Sequence, residues 1–224
     1  MQRNIITTKD GSKTIQIVEW NEHYHSVHGA IQEANHVFIK HGLLFFLEKF
    51  KQIPSLHILE IGFGSGLNAF LTFLQSQKLK QHLHYTGVEA FPIVKAEVMA
   101  LNYAQQLQTD NKPFIDMHDS LWEIPQELSP FFTITKQQKD FFEITEMDAY
   151  HLIYFDAFGA RVQPELWTEV LFKKMYNALK PHGVFVTYSA KGSVRRALID
   201  VGFTVEKLPG PPGKREMLRA IKGE

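Results

Sequence analysis

The sequence predicts an α/β fold: a doubly wound, mostly parallel sheet whose last strand runs antiparallel. Three observations lead there. Short apolar, β-branched runs alternate with helix-period segments along most of the chain. Three of those runs end in an acid where a strand would give way to a loop, at Glu60, Glu89 and Asp156. The chain then closes with two strand-like runs, 203–207 and about 215–220, around the stiff loop Pro209-Gly210-Pro211-Pro212-Gly213-Lys214. If the first of these is parallel to the sheet, the second must return antiparallel.

The run His57-Ile58-Leu59-Glu60-Ile61 reads as a buried strand. A turn with glycine at every second position follows, then a helix from Leu67 to about Gln77 with Leu67, Phe70, Leu71 and Leu74 on one face. Glycines let backbone amides approach a ligand closely, and a helix N-terminus offers unpaired N–H groups. A dinucleotide turn reads Gly-x-Gly-x-x-Gly. This turn reads Glu-x-Gly-x-Gly-x-Gly, and the carboxylate before the first glycine would repel a pyrophosphate. S-adenosylmethionine carries an ammonium, a sulfonium and no phosphate, and the pattern resembles the first motif of the Rossmann-like class I methyltransferases. Glu60, Gly62, Gly64 and Gly66 are therefore candidate cofactor residues.

Composition narrows the classes. The chain has 224 residues, 44% of them apolar, enough for one large α/β domain with extensions. Formal net charge is zero, so no global field draws it to nucleic acid or to an anionic membrane, although a local basic patch stays open. There is no cysteine, which excludes disulfides, thiolate zinc sites and cysteine nucleophiles. The first residues lack the apolar core of a signal peptide, and no apolar run approaches the roughly 18 residues that span a bilayer. The expectation is a soluble, cytoplasmic protein with no membrane partner and no obligatory protein partner.

Taken in order, residues 5–20 read as two short strands around the turn Lys9-Asp10-Gly11-Ser12. The stretch 22–30 is dense in polar rings; its three histidines lack a further fixed ligand, so no metal is expected, and it reads as a loop folded over the cofactor mouth. Residues 30–49 read as helix, broken near His41-Gly42, with Glu33 and His36 able to share a face. Residues 1–50 are thus expected to form an N-terminal extension over the mouth, and 51–224 one methyltransferase unit. Residues 84–89 form the second strand, and Glu89 at its end is placed to hold ribose hydroxyls. Pro92 opens a helix to about Leu107. Residues 110–128 read as a helical excursion around Leu121, Trp122 and Leu128. The third strand is 131–138, with Asp140 as the acid near the adenine amino group and Asp119 the lesser candidate. His151 to Phe155 is the fourth strand, and Asp156 stands at its outlet. Pro164 opens a helix whose apolar face includes Leu166, Val170, Leu171, Met175 and Leu179. Residues 184–188 are the fifth strand. Lys191, Arg195 and Arg196 from its outlet, with Lys214 and Arg215 from the Pro/Gly loop, read as a phosphate-binding rim.

Several stretches together resemble one family: Tyr24-His25-Ser26-x-x-Gly29-Ala30-x-x-Glu33-x-x-His36-Val37-Phe38-Ile39, the Glu60–Asn68 turn, Asp156-Ala157-Phe158, Pro164-Glu165-Leu166-Trp167-Thr168, Thr187-Tyr188-Ser189-Ala190-Lys191-Gly192 with Val194-Arg195-Arg196, and Pro209-Gly210-Pro211-Pro212-Gly213-Lys214-Arg215-Glu216-Met217. They are similar to the methyltransferase domain of the tRNA 5-methylaminomethyl-2-thiouridine biosynthesis enzymes (MnmC). The resemblance covers about residues 10–220. It implies methyl transfer from S-adenosylmethionine to the aminomethyl group on the wobble uridine of certain tRNAs, with the anticodon region as partner. Bifunctional members carry a second, FAD-dependent oxidase domain. No second glycine fingerprint is present here, so the expectation is methyl transfer alone, with neither FAD nor metal.

The residues then take expected roles. Asp156 orients the acceptor amine and stabilises the cation that forms on it, because a carboxylate with a pKa near 4 is a poor base towards an ammonium near 10. Glu60 faces the methionine ammonium. Tyr24, Phe158 and Tyr188 wall the uracil ring. Glu33, Lys191, Lys214 and Arg215 complete the substrate-binding candidates. Two rivals remain: a methyltransferase for a small-molecule amine, and a cofactor-free adaptor on the same sheet.

Overall fold

The apolar runs with no polar face become the middle of an eight-stranded sheet, because only strands covered on both sides can be apolar throughout. The computed structural model describes residues 2–51 and 53–224. Its strands, in chain order, are β1 Arg3–Thr7, β2 Lys13–Ile17, β3 Glu22–His23, β4 Ser55–Ile61, β5 His82–Val88, β6 Gln126–Ser129, β7 Phe132–Gln137, β8 Tyr150–Phe155, β9 Leu179–Thr187, β10 Thr204–Pro209 and β11 Glu216–Ile221. The large sheet has the order β10-β11-β9-β8-β4-β5-β7-β6. β4 pairs in parallel with β5 on one side and β8 on the other, so the strand order reverses there and leaves a crevice beyond the carboxyl ends. β11 runs antiparallel to both β9 and β10, as the two closing runs require. β1, β2 and β3 form a separate antiparallel sheet.

Two apolar layers sandwich the large sheet. One holds Phe38, Leu43, Phe70 and Phe114 against Ile58, Tyr85 and Tyr154. The other holds Trp167, Phe172 and Leu198 against Leu59, Phe155 and Phe185. The helices are α1 Ala30–Ala34, α2 Phe45–Lys49, α3 Leu67–Leu79, α4 Lys95–Ala100, α5 Tyr103–Gln106, α6 Lys112–Asp119, α7 Glu169–Ala178 and α8 Gly192–Asp200.

Four expectations are corrected. The helix over 30–49 does not break at His41-Gly42. It widens into a π-type segment, Asn35–Leu44, that joins α1 to α2 and lies on β8 and β9. A Cβ at Gly42 would sit 3.1 Å from both Tyr154 and Val186, so that glycine serves close helix–sheet approach and not a break. The helix expected from Pro92 to Leu107 is divided between α4 and α5. Leu101 is extended, and Asn102 binds the N-terminal hairpin turn by accepting from Lys13 N (2.8 Å) and donating to Gly11 O (3.0 Å). In 110–128 only α6 is helical; the rest leads into β6, which pairs antiparallel with β7, and Leu121 is 64% exposed. Pro164 opens a single 3-10 turn before α7 begins at Glu169. Val170 points to solvent and Leu179 already belongs to β9.

Candidate active site

The outlets of β4, β5, β7, β8 and β9 open into one cavity of about 480 Å³, within the range of small-molecule sites. Gly62 (φ +87°) and Gly64 (φ +50°) form its floor. A Cβ at Gly62 would stand 2.8 Å from the Asp156 carbonyl oxygen, and one at Gly64 would stand 3.0 Å from the Tyr24 ring. Both positions therefore need glycine for backbone conformation and for space. Gly66 (φ +74°) is different. It lies outside the cavity lining, and a Cβ there would meet His118 Nε2 at 2.7 Å. It starts α3 and lets α6 pack close.

Glu89, at the end of β5, accepts from Gly64 N (3.0 Å) with one oxygen and from Phe91 N (2.9 Å) with the other. Burial pushes its pKa up, while those two N–H groups hold it down. A carboxylate has about four acceptor sites, so Glu89 can still accept from a hydroxyl donor. Asp140 caps the 3-10 turn Phe141–Glu143 by accepting from Phe142 N (2.8 Å), and lines the cavity beside Phe141 and Phe142. Asp119 does not reach it. That residue pairs with Lys95 (3.1 Å) over a separate hollow near Trp122 and Lys136.

Glu60 requires a correction. It is 0% exposed and absent from the cavity wall, whereas the sequence placed it facing the methionine ammonium. One Asn68 amide nitrogen donates both to Glu60 Oε1 (2.9 Å) and to Asp156 Oδ2 (2.8 Å). Asn68, in the first turn of α3, thus stands between the buried acid and the cavity. Burial pushes the Glu60 pKa well above the ordinary carboxylate range, because desolvation disfavours the charged form.

Asp156 itself lines the cavity. Burial and the neighbouring Glu33 charge push its pKa up to about 7; the Asn68 hydrogen bond and the Lys214 charge oppose that rise. The expected value near 4 is thereby overturned, because the strand outlet is buried and faces a second carboxylate. A group near 7 exists in both forms at neutral pH and can give or take a proton. Its loop is pinned on both sides: Tyr188 donates its hydroxyl to Ala157 O (2.8 Å), and Trp167 its indole N–H to Phe158 O (2.7 Å).

Phe158 meets Trp20 and Tyr24 edge-on, with centroids 5.5 and 5.1 Å apart. Arg161 ties this aromatic wall together by donating to Trp20 O (2.7 Å) and to Glu22 (2.8 Å). Glu33 is buried; one oxygen accepts from Ser26 N (2.8 Å) and the other from Lys214 Nζ. Lys214 also lies over the Tyr188 ring, 3.9 Å from its centroid. Lys191 lines the cavity and is exposed. Arg215, Arg195 and Arg196 do not line it. The five-cation rim is therefore thinner at the mouth than the sequence implied, and Lys214 is charge-compensated. Asn68, Trp20, Ser26 and Gln163 line the cavity without having been singled out. Only Asn68 carried a signal, its place two residues after the last glycine of the turn.

Among the described residues, no group of three His, Cys, Asp or Glu side chains can hold a metal ion. No helix among them is long and apolar enough to cross a membrane. The cavity fits S-adenosylmethionine on chemistry. Its cofactor side presents the acceptors Glu89 and Asp140 and two glycines whose added Cβ atoms would collide, a set suited to a cationic, phosphate-free ligand.

Comparison with known proteins agrees. Residues 134–223 match a family described as S-adenosyl-L-methionine-dependent methyltransferase. The tRNA 5-methylaminomethyl-2-thiouridine biosynthesis bifunctional protein MnmC of Hydrogenovibrio crunogenus is 31% identical over 210 residues, covering 87% of this chain and 30% of that protein. Its counterpart in Burkholderia thailandensis is 28% identical over 232 residues, covering 96% of this chain and 34% of that protein. The chain thus spans about a third of the length of the curated relatives it matches. Among solved structures, MnmC2 from Aquifex aeolicus superposes with a TM-score of 0.78 at 26% identity, covering 98% of this chain and 69% of that one.

Proposed function

From its similarity to the S-adenosylmethionine-dependent methyltransferases of the MnmC kind, we propose that the chain is such a methyltransferase and that it N-methylates the aminomethyl group on a wobble uridine of tRNA. The observation that carries this reading is a carboxyl held near neutrality, Asp156, beside an aromatic wall in the cavity where a methyl acceptor must sit. In this reading the first 50 residues cover the cofactor mouth and residues 51–224 carry the methyltransferase sheet, with the helix over 30–49 packed against both. A tRNA substrate also accords with a cytoplasmic location.

S-adenosylmethionine, when bound, supplies an electrophilic methyl group on a sulfonium. Glu89 would hold its ribose hydroxyls, Asp140 would lie on its adenine side, and Gly62 and Gly64 would let the backbone approach it closely. The acceptor arrives as an alkylammonium with a lysine-like pKa of about 10, and nitrogen attacks only after losing a proton. Asp156 accepts a hydrogen bond from that nitrogen, orients it and takes the proton, which then passes to solvent. Tyr24, Phe158 and Tyr188 wall the pyrimidine ring, and Lys191 meets RNA phosphate at the rim. With a group near 7 as acceptor, the proton transfer is uphill by about three pH units, or about 4 kcal/mol, a barrier that substrate positioning can absorb.

The compensated charge on Lys214 favours a second reading, a small-molecule amine acceptor that needs no basic rim. One experiment separates the two. The protein is incubated with S-adenosylmethionine and tRNA carrying 5-aminomethyluridine, and the nucleosides are analysed. The expected product is the 5-methylaminomethyl nucleoside, with acceptor binding that weakens steeply as salt rises. No methylated nucleoside, together with intact calorimetric binding of S-adenosylmethionine, overturns the tRNA reading and leaves the small amine.

A further inference from the structure

Lys214 was expected at the rim, holding RNA phosphate, but it does not point outward. Its ammonium is bonded to the buried Glu33 carboxylate, lies over the Tyr188 ring and faces the same cavity as Asp156. Glu33 is fixed from its other oxygen by Ser26 N, so it cannot turn away. Resting on the amine-methylating reading above, we propose that Lys214 is a charge-balancing residue of the acceptor site: it cancels Glu33, so that one carboxylate, Asp156, faces the incoming ammonium.

Electrostatics gives the reason. A cationic amine between two uncompensated carboxylates binds well but holds its proton, because nearby negative charge favours the charged form. Such a site captures the acceptor in its unreactive state. With Lys214 in place, the Glu33–Lys214 pair is neutral as a unit. The ammonium then faces Asp156 alone and passes its proton to it: the N–H bond breaks, a carboxyl O–H bond forms, and the freed lone pair is the nucleophile. The other charged and titratable groups around this point do not replace Lys214. Glu22 on β3 is spent on Arg161, and Glu60 on β4 is buried behind Asn68, its pKa pushed up by burial. His25 is held neutral by burial, with a pKa pushed down to about 4. Tyr188 stays un-ionised, its pKa pushed well up by burial. Lys191 and Glu165 are exposed at the mouth, where water screens them.

The test is a charge cycle. Lys214→Met leaves two bare carboxylates. The acceptor KM is expected to fall or hold while kcat falls at least tenfold, and the rising limb of the kcat–pH profile moves up by about one pH unit or more. Glu33→Gln, which can still accept from Ser26 N, leaves a bare cation; KM rises and the limb moves down. The double variant Glu33→Gln/Lys214→Met restores neutrality and should return the limb towards wild type, and Lys214→Arg should resemble wild type. If Lys214→Met raises KM and leaves kcat and its pH profile unchanged, Lys214 is a phosphate clamp and the proposal fails. It also fails if the double variant does not bring the profile back. A second readout needs neither cofactor nor acceptor. The Asp156 carboxyl titration, followed by NMR, should move up in Lys214→Met and down in Glu33→Gln. An unmoved titration in the variants overturns the charge balance whatever the acceptor, whereas those shifts together with a wild-type protein that methylates no amine overturn only the functional reading.

Discussion

Replacing Asp156 with Asn should make the protein more stable and less active, and the stability gain should grow with pH. The side chain titrates at about 7 in the fold against an ordinary 3.8. A carboxyl whose folded pKa is raised holds its proton more tightly folded than unfolded. The fold therefore bears no cost below pH 3.8 and a growing one as pH climbs to 7. At 1.36 kcal/mol per pH unit the full cost is about 4 kcal/mol above pH 7 and about 2 kcal/mol at pH 5. These are upper bounds, since the Asp156 side chain is partly open to the cavity. Asn removes the charge and still accepts the bond from Asn68. Urea unfolding of cofactor-free wild type and variant at pH 5 and pH 8 should give a difference about 2 kcal/mol larger at pH 8. Methyl transfer by the variant should fall by about a hundredfold to ten-thousandfold, the usual loss on removing a proton acceptor. A stability difference equal at the two pH values would refute the reasoning, because it would mean that the free protein does not bear the cost of a buried charge at this position.

Glu89→Gln removes the charge from an acceptor of ribose hydroxyls, and calorimetry should show S-adenosylmethionine binding weakened by about tenfold to a hundredfold; unchanged affinity would remove Glu89 from the site. Gly42→Ala drives a methyl group to 3.1 Å from Tyr154 and Val186, and the urea midpoint should drop by the equivalent of about 1–3 kcal/mol. Burial pushes His118 and His151 down to about 4 from 6.5. Their folded forms bind fewer protons, so the stability they allow is present above pH 6.5 and lost as pH falls towards 4. His118→Gln should flatten that acid slope in pH-dependent unfolding, and a slope equal to wild type would show that His118 does not carry it.

The parallel sheet was legible because its signals are local. A strand covered on both faces must be apolar throughout, so the runs at 57–61 and 151–155 announce themselves, and acids at their ends mark the outlets. Gly62 and Gly64 declared a tight turn for the same reason: positive φ is a demand on single residues. Helix boundaries were less legible. Gly42 carries the composition of a break, yet its neighbour in space is Tyr154, more than a hundred residues on. Asn102 looks helical until the hairpin turn of residues 9–12 binds it.

Within the candidate site, residue types were readable and their charge states were not. The order of amino acids already placed Glu60, Glu89 and Asp156 at strand ends, and with them a cavity lined by acid. Which acid lines the cavity depended on packing: α3 sets Asn68 between Glu60 and Asp156, bonded to both, and only Asp156 lies at the cavity wall. The same holds for Lys214, a rim cation by sequence, which the return of β11 brings onto Glu33 from the opposite end of the chain. Backbone preference and apolar period act over a few residues and are written in the chain. Proton affinity depends on distance and on exclusion of water, and both arise only when distant segments close over one another.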